Sequence, residues 1–458
     1  MRTLVKNGRI VTAVDDYQAD VLIVDGVITQ IARDITDPEA EVIDAAGRMV
    51  IPGGIDPHTH LENFTGRTTT SDDFVTGSRA AAVGGTTTLI DFAKQSKGDL
   101  LQHVYNTWQG KARGRTCIDY AFHLIVVEMD EARLEEVPWL IDQGVTSVKM
   151  YMAYRGRMMV DDGTIFRTMQ VFKQHGGLVA LHAEHGDVID VLVQQALAAG
   201  HVAPKYHAST RPPVTEGEAV FRAICMAELA ECPVYFVHLS SRQAVEQVQR
   251  ARDRGLPVFA ETCPHYLLLD ESLYDQPGFE GAKYVLTPPL RTREHQEALW
   301  TGVRSGDIGV ISTDHCPFCF ADQKALGKDD FSKIPNGGPG IENRLSLIYN
   351  AGVHGGRIDD NKFVDLVATQ PAKIFGLFPR KGTIAVGSDG DVVIFDPQGE
   401  LTISAATHLM NIDYNMYEGM RVRGTADEVL LRGKPIVRQR KYVGQPGDGQ
   451  YLPRQRHR

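Results

Sequence analysis

No run of apolar residues in the 458-residue chain approaches the ~20 needed to cross a bilayer as a helix. The opening MRTLVKNGRIV also lacks the apolar core of a secretory signal and goes straight into a strand-like pattern, so a cytoplasmic location is expected. Long basic runs are missing too. With a formal net charge of -10 the chain repels nucleic acid, and no such partner is expected. Cysteine is scarce: Cys117, Cys225, Cys232, Cys263, Cys316 and Cys319 are spread too thinly to staple a fold of this length. Cys316 and Cys319 form a CxxC pair, but a structural zinc site wants a second pair and none exists. Reduced thiols are expected.

What is present is the balance of an ordinary soluble enzyme, 43% hydrophobic and 23% charged. The first fifty residues read as a small antiparallel β unit, with hairpin turns at Asn7-Gly8 and Asp25-Gly26. The last eighty read alike: VVIFD after Ser388-Asp389-Gly390, then EVLLRGKPIVRQRKYVG with its glycine turns. Between them, short β-rich runs alternate with stretches of helical apolar spacing such as DVIDVLVQQALAAG and SRQAVEQVQRARDRG. Strands are expected to end near Asp56, Phe92, Val127, Tyr151, His182, His238, Glu261 and Thr313. Eight βα units in a row predict an α/β fold, a (β/α)8 barrel over 52–377. A small β-sandwich from both termini, 1–51 and 378–440, completes it, and 441–458 is read as an arm that orders only against a neighbouring subunit.

Catalytic groups of such barrels sit where the strands run out. His58 and His60 follow the first strand, two apart on extended chain and therefore on one face, able to chelate one metal. His182, His238 and Asp314 end the fifth, sixth and eighth strands. A lone histidine at a strand end is more often a hydrogen-bonded structural residue; five donors in order at barrel-strand ends point to a metal centre. Lys149 lies inside the strand Ser147-Val148-Lys149-Met150-Tyr151, where an ammonium is costly to bury. Either it is ion-paired or snorkels, or its amine has taken up carbon dioxide to become an anionic carbamate able to bridge two metals.

These residues carry a resemblance. Gly54-Ile55-Asp56-Pro57-His58-Thr59-His60, the lysine strand, the two later histidines and Ser312-Thr313-Asp314-His315 are similar to the metal signature of the amidohydrolase superfamily. Over almost its whole length the chain resembles the dihydropyrimidinase and D-hydantoinase family, through GGTTTLIDF, VKMYMAY, AETCPHYLLLD, GAKYVLTPPLR, IPNGGPGIENR and FGLFPRKGTIAVGSDGDVVIFDP.

The resemblance implies hydrolysis of the cyclic amide bond of 5,6-dihydropyrimidines and hydantoins, small cyclic imides and ureides, to N-carbamoyl amino acids. It implies that His58, His60 and Asp314 hold a buried metal, that His182 and His238 hold a more exposed one, and that Lys149, as N6-carboxylysine, bridges them. Zinc is the implied ion, with manganese or cobalt acceptable to the same donors. A hydroxide bridging the metals is the implied nucleophile, and Asp314 the general base that becomes general acid. Tyr154 is the implied oxyanion donor, and Thr287 and Asn336 bind substrate through their backbones. A homotetramer is implied as well.

Dihydroorotases resemble the chain but carry an arginine after His-x-His, where Leu61 and Glu62 stand here. Allantoinases share the metal site, and the non-catalytic relatives have lost ligands that this chain keeps. His315 and His265 are read as packing residues rather than ligands. In the loops that receive the ring substituent, family members often place a Met-Pro-Phe run and phenylalanines; here Asn63-Phe64-Thr65, Tyr151 and Met158 occupy those places. A more polar pocket is expected.

Overall fold

A computed structural model describes residues 1–457. The N-terminal segment supplies five strands: β1 (Arg2–Val11), β2 (Asp16–Val24), β3 (Val27–Ala32), β4 (Glu41–Asp44) and β5 (Met49–Pro52). The middle supplies eight more: β6 (Gly54–Thr59), β7 (Thr86–Lys94), β8 (Asp119–Ile125), β9 (Ser147–Tyr151), β10 (Leu178–His182), β11 (Val234–Phe236), β12 (Val258–Thr262) and β13 (Val310–Ile311). Each of the first seven pairs in parallel with its successor, and a parallel bridge between Thr59 and His315, just beyond β13, brings the last segment back to the first. This is the (β/α)8 barrel. Its strands are buried on both faces, which is why they read as continuous apolar runs rather than as alternating patterns. The outer helices bury one stripe each. In Arg242–Asp253 the buried set is Ala244, Val245, Val248 and Ala251, and Ser241 caps the first turn by accepting from the Ala244 amide.

The C-terminal segment adds β14 (Val392–Thr402), β15 (Arg421–Leu431), β16 (Lys434–Arg438) and β17 (Lys441–Tyr442). Both termini share one nine-stranded sheet in which β14 pairs with β5. Two local expectations are corrected. The N-terminal unit is mixed, because β4 and β5 run parallel to β1 instead of turning back as hairpins. Asp25-Gly26 does make a hairpin turn, with φ of 49° and 88°, but Asn7 at φ 55° sits in a bulge inside β1. The same tolerance of positive φ serves a bulge as well as a turn, and sequence does not tell them apart.

The tail is also corrected. Residues 450–457 lie on the barrel of their own chain, across the N-terminal ends of its strands. Leu452 N donates to Tyr120 O at 2.7 Å, Arg454 N to Gly144 O at 3.1 Å and His457 N to Gly176 O at 2.8 Å. Arg454, 4% exposed, reaches Phe122 O and Ser147 Oγ. A strap held by main-chain bonds needs no apolar periodicity, so none marks it in the sequence. Above it, the buried Lys381 joins barrel to sheet, 2.6 Å from both Asp119 and Asp391 and 3.0 Å from Asp389, with Arg432 also on Asp119. Among the described residues no helix is long and apolar enough to cross a membrane.

Candidate active site

The C-terminal ends of the barrel strands bring the chosen residues together. His58 comes from β6, Lys149 from the middle of β9, His182 from the last position of β10, and His238 and Asp314 from just beyond β11 and β13. His58 Nε2 lies 2.9 Å from Lys149 Nζ, 3.0 Å from Asp314 Oδ1 and 3.3 Å from His60 Nε2. Asp314 Oδ1 is also 3.3 Å from His60 Nε2. His182 Nδ1 faces His238 Nε2 at 3.0 Å. Two groups thus sit side by side, His58–His60–Asp314 and His182–His238, with Lys149 against the first. The backbone is strained where they are presented: Tyr154, His238 and Asp314 hold φ of 67°, 42° and 48°, a region rarely adopted by residues other than glycine.

Carboxylates and an amide behind the imidazoles decide which nitrogens face inward. Glu261 accepts from His58 Nδ1, and Glu184 Oε2 lies 2.8 Å from His182 Nε2. Each fixes the tautomer whose other nitrogen points a lone pair into the site. Asn63 lies 3.1 Å from His60 Nδ1. The contacting atom is the amide nitrogen Nδ2; turning the amide over, which leaves its shape unchanged, would let the otherwise unpartnered Oδ1 accept the Nδ1 proton and leave Nε2 as a lone pair. Lone pairs facing one another at hydrogen-bond distance want a cation between them. The donor set of imidazole and carboxylate therefore fits divalent metal ions, and His58, His238 and Asp314 alone place three ligand atoms within 4.8 Å of one another.

The electrostatics favour neutral forms of His60 and His238 beside an anionic Asp314. Burial holds His60 down at about 3 and His238 well below the ordinary value. His58 is pulled down by burial and by Lys149 but ends raised, through Asp314 and Glu261. Asp314 is opposed by burial, yet the histidines around it hold it well below the ordinary carboxylate range. Lys149 is 1% exposed and makes no ion pair among the described residues; its amine stands over the Phe92 ring, 4.4 Å from the centroid. Burial lowers it to about 8.

A cavity of about 120 Å³ opens onto this cluster, with Tyr154, Thr287 and Asn336 on its wall. Burial raises the Tyr154 phenol above its ordinary value, with Thr287 and Asn336 pulling the other way. Neither the Thr287 nor the Asn336 backbone N–H has an acceptor among the described residues. Asn63, Thr65, Tyr151 and Met158 line the same cavity, whereas Phe64 is 56% exposed and turns away from it. His315 pairs with Asp72 at 3.0 Å and His265 is buried, both outside the cavity lining. All six cysteines are free, and Cys316 lines the cavity.

Sequence reading passed over Glu184, Glu261 as an imidazole partner, and Asn63 in its contact with His60. Glu261 was within reach: a carboxylate inside Val258–Thr262 is the same anomaly as Lys149 inside β9.

Known proteins resemble this chain along its length. Residues 49–436 match the model of the amidohydrolase family, a metal-dependent family. A D-hydantoinase of Geobacillus stearothermophilus is 54% identical over 458 residues, covering 100% of this chain and 97% of that protein. A crystal structure of a D-hydantoinase superposes with a TM-score of 0.99 at 52% identity, covering 100% of both chains. That of the dihydropyrimidinase from Brevibacillus agri NCHU1002 gives 0.99 at 50% identity, covering 100% of this chain and 99% of that one. The strand-end cluster and full-length likeness together mean that the chain belongs to the dihydropyrimidinase/D-hydantoinase family of cyclic amidohydrolases.

Proposed function

We propose that the chain hydrolyses the amide bond of 5,6-dihydropyrimidine and hydantoin rings, yielding N-carbamoyl amino acids, at a centre of two divalent metals. The observation that carries the reading is the convergence of four imidazoles, Asp314 and a buried lysine without an ion pair at one barrel mouth. His58, His60 and Asp314 would hold one metal and His182 and His238 the other, with zinc the best match to these donors and manganese or cobalt acceptable. Lys149 would join the two as a carbamate: its free amine adds to carbon dioxide, the new N–C bond forms and one proton leaves. The isolated cation then becomes an anion beside cations, which removes its burial penalty. When bound, the metal pair supplies a water acidic enough to attack near neutral pH and a Lewis acid for the substrate carbonyl.

The chain's own residues do the rest. Asp314 Oδ takes the proton released as water adds to the ring carbonyl carbon, then delivers it to the ring nitrogen as the C–N bond breaks. The Tyr154 hydroxyl donates to the carbonyl oxygen as charge builds on it. The unpaired N–H groups of Thr287 and Asn336 hold the planar ring. We also infer a homotetramer; the exposed stripe Val214, Phe221 and Leu229 along the helix Pro213–Leu229 supports an assembled surface.

Asp314→Asn keeps the shape but cannot accept a proton. We expect kcat on dihydrouracil to fall by at least ~10²-fold, the lower range for general acid–base catalysis. Near-normal turnover would show that another group moves the proton. Turnover of allantoin or dihydroorotate with none of dihydrouracil, dihydrothymine or hydantoin would overturn the substrate assignment.

A further inference from the structure

Charge at the mouth of the site runs against charge in the rest of the molecule. The chain carries a net -10, yet among the described residues Asp314 is the single carboxylate lining the catalytic cavity; Lys333 at the rim is paired with Asp330, and beside it stand Arg67, Lys94 and Arg157. None of these three makes an ion pair among the described residues. Each spends one donor on a main-chain carbonyl instead. Lys94 Nζ donates to Phe64 O at 2.7 Å, Arg157 Nη2 to Thr65 O at 2.7 Å and Arg67 Nη1 to Lys333 O at 3.4 Å. The first two grip consecutive peptides of one loop, whose preceding residue, Asn63, touches His60.

Beside the catalytic cavity lies a second one of about 500 Å³. The two share Asn63, Thr65, Lys94, Arg157 and Met158, so they meet at the position expected for the ring substituent. Lys97 and Lys111 also line this side chamber, and Asp99 is its single carboxylate. Lys94 and Arg157 are near enough for like charge to matter: burial and then Arg157 lower the Lys94 amine. Two uncompensated cations at the neck of a chamber, each with donors to spare, are a receptor for an anion. The planar fork of an arginine and the point charge of a lysine together suit a carboxylate.

We propose that the ring substituent of the substrate carries a carboxylate, which Lys94 and Arg157 hold where the two cavities meet. The inference rests on the ring-opening activity proposed above and names its substrate class: five- or six-membered cyclic ureides with an acidic side chain. It also accounts for the replacement of apolar loop residues by Asn63 and Thr65, since a carboxylate arriving at an apolar wall would lose its water without compensation.

The test compares two substrates that differ in charge and little else, hydantoin-5-acetate and hydantoin-5-acetamide. The metal-loaded wild type should favour the acid by about tenfold in kcat/KM, carried by KM, the size expected of charge-assisted contacts that remain partly solvated. Raising salt from about 0.05 M to about 0.5 M should shrink that ratio, because the Debye length falls well below the reach of exposed charges. Lys94→Met and Arg157→Gln should each bring the ratio towards one, and Lys94→Arg should preserve it. Reading a ratio within each variant cancels any general loss of activity.

A wild-type ratio near one, or a ratio undiminished in both charge-removing variants, overturns the inference. So does an equal loss of inhibition by N-carbamoylalanine in the two variants, which would assign these cations to the carboxylate of the opened ring. Absence of turnover on hydantoin and dihydrouracil alike would instead count against the proposed function. Calorimetric binding of the same acid and amide then still decides: tighter binding of the acid upholds the carboxylate site and equal binding overturns it.

Discussion

Lys149 and Lys381 are buried to the same degree at opposite ends of the barrel, 1% and 2% exposed, and behave in opposite ways. Burial pulls the Lys381 amine down, but Asp391, Asp119 and Asp389 more than offset it and hold its ammonium above the ordinary value. Lys149 touches imidazoles and aromatic rings; Asp314 and Glu261 pull its amine up without pairing with it, and burial still brings it down to about 8. One lysine is an ion locked among anions; the other is an amine available to react. Burial alone therefore says little about a lysine's role. The sign of what surrounds it separates a strut from a chemical group, and in this barrel the strut lies at the end opposite the reaction.

Removing each lysine should break different things. Lys149→Ala is expected to lose most of its metal and more than ~10³-fold in kcat, because a bridging ligand and its Lewis-acid pair go together. Short carboxylic acids such as acetate, supplied in its place, should restore part of both. Metal analysis beside kinetics checks this, and full metal content with full activity in Lys149→Ala would abolish the contrast. Lys149→Met sharpens it further. In metal-free protein this change should cost little stability, since it removes a buried amine that had no counter-ion.

Lys381→Met should do the reverse. It strands Asp119, Asp391 and Asp389 around an apolar side chain, and breaking a buried ion pair from one side costs about 3–5 kcal/mol. The loss is expected as a lower denaturation midpoint, with metal content and kcat of the folded fraction unchanged. A variant as stable as the wild type would mean that Arg432, also on Asp119, compensates the cluster by itself.

The strand-end donors were legible in the sequence because barrel geometry converts chain order into place. A polar residue where an apolar strand ends must face the mouth, so His58, His60, His182, His238 and Asp314 needed no contact information. Lys149 was legible as an anomaly of burial. The partners that orient those side chains were not. Glu184 and Asn63 lie two and three residues from the histidines they serve, in loops whose course depends on packing. The tail strap bonds through its backbone, which leaves no side-chain pattern. The cations at the rim come from segments ending at Arg67, Lys94 and Arg157, far apart in sequence; only the folded loops make them neighbours.

A third buried lysine tests where the line between strut and chemistry falls. Lys324 is 0% exposed, faces no carboxylate, and donates to Val285 O at 2.8 Å and to Pro335 O and Gly337 O at 2.7 Å. Burial lowers it to about 7, yet three carbonyls take up all three hydrogens of an ammonium. Across a trans peptide the C=O and N–H point in opposite directions. Lys324 holds the Pro335 carbonyl and so turns the Asn336 N–H away from itself. His207, through Leu286 O at 2.8 Å, does the same for the Thr287 N–H. Both peptides are trans, since the described cis bonds are Thr287-Pro288 and Phe378-Pro379. Gly337 supports the turn: at φ 142° an added Cβ would lie 2.3 Å from Cys316 O. Lys324 is thus a positioning residue for the Asn336 amide, one of the two proposed to hold the ring. Lys324→Met, of similar length but without a donor, should raise KM about tenfold, the worth of one or two misaimed hydrogen bonds, with a smaller fall in kcat. Metal content should stay at the wild-type level, which separates this lysine from Lys149. Loss of metal would move Lys324 into support of the centre, and an unchanged KM would show that the Asn336 amide holds its aim without it.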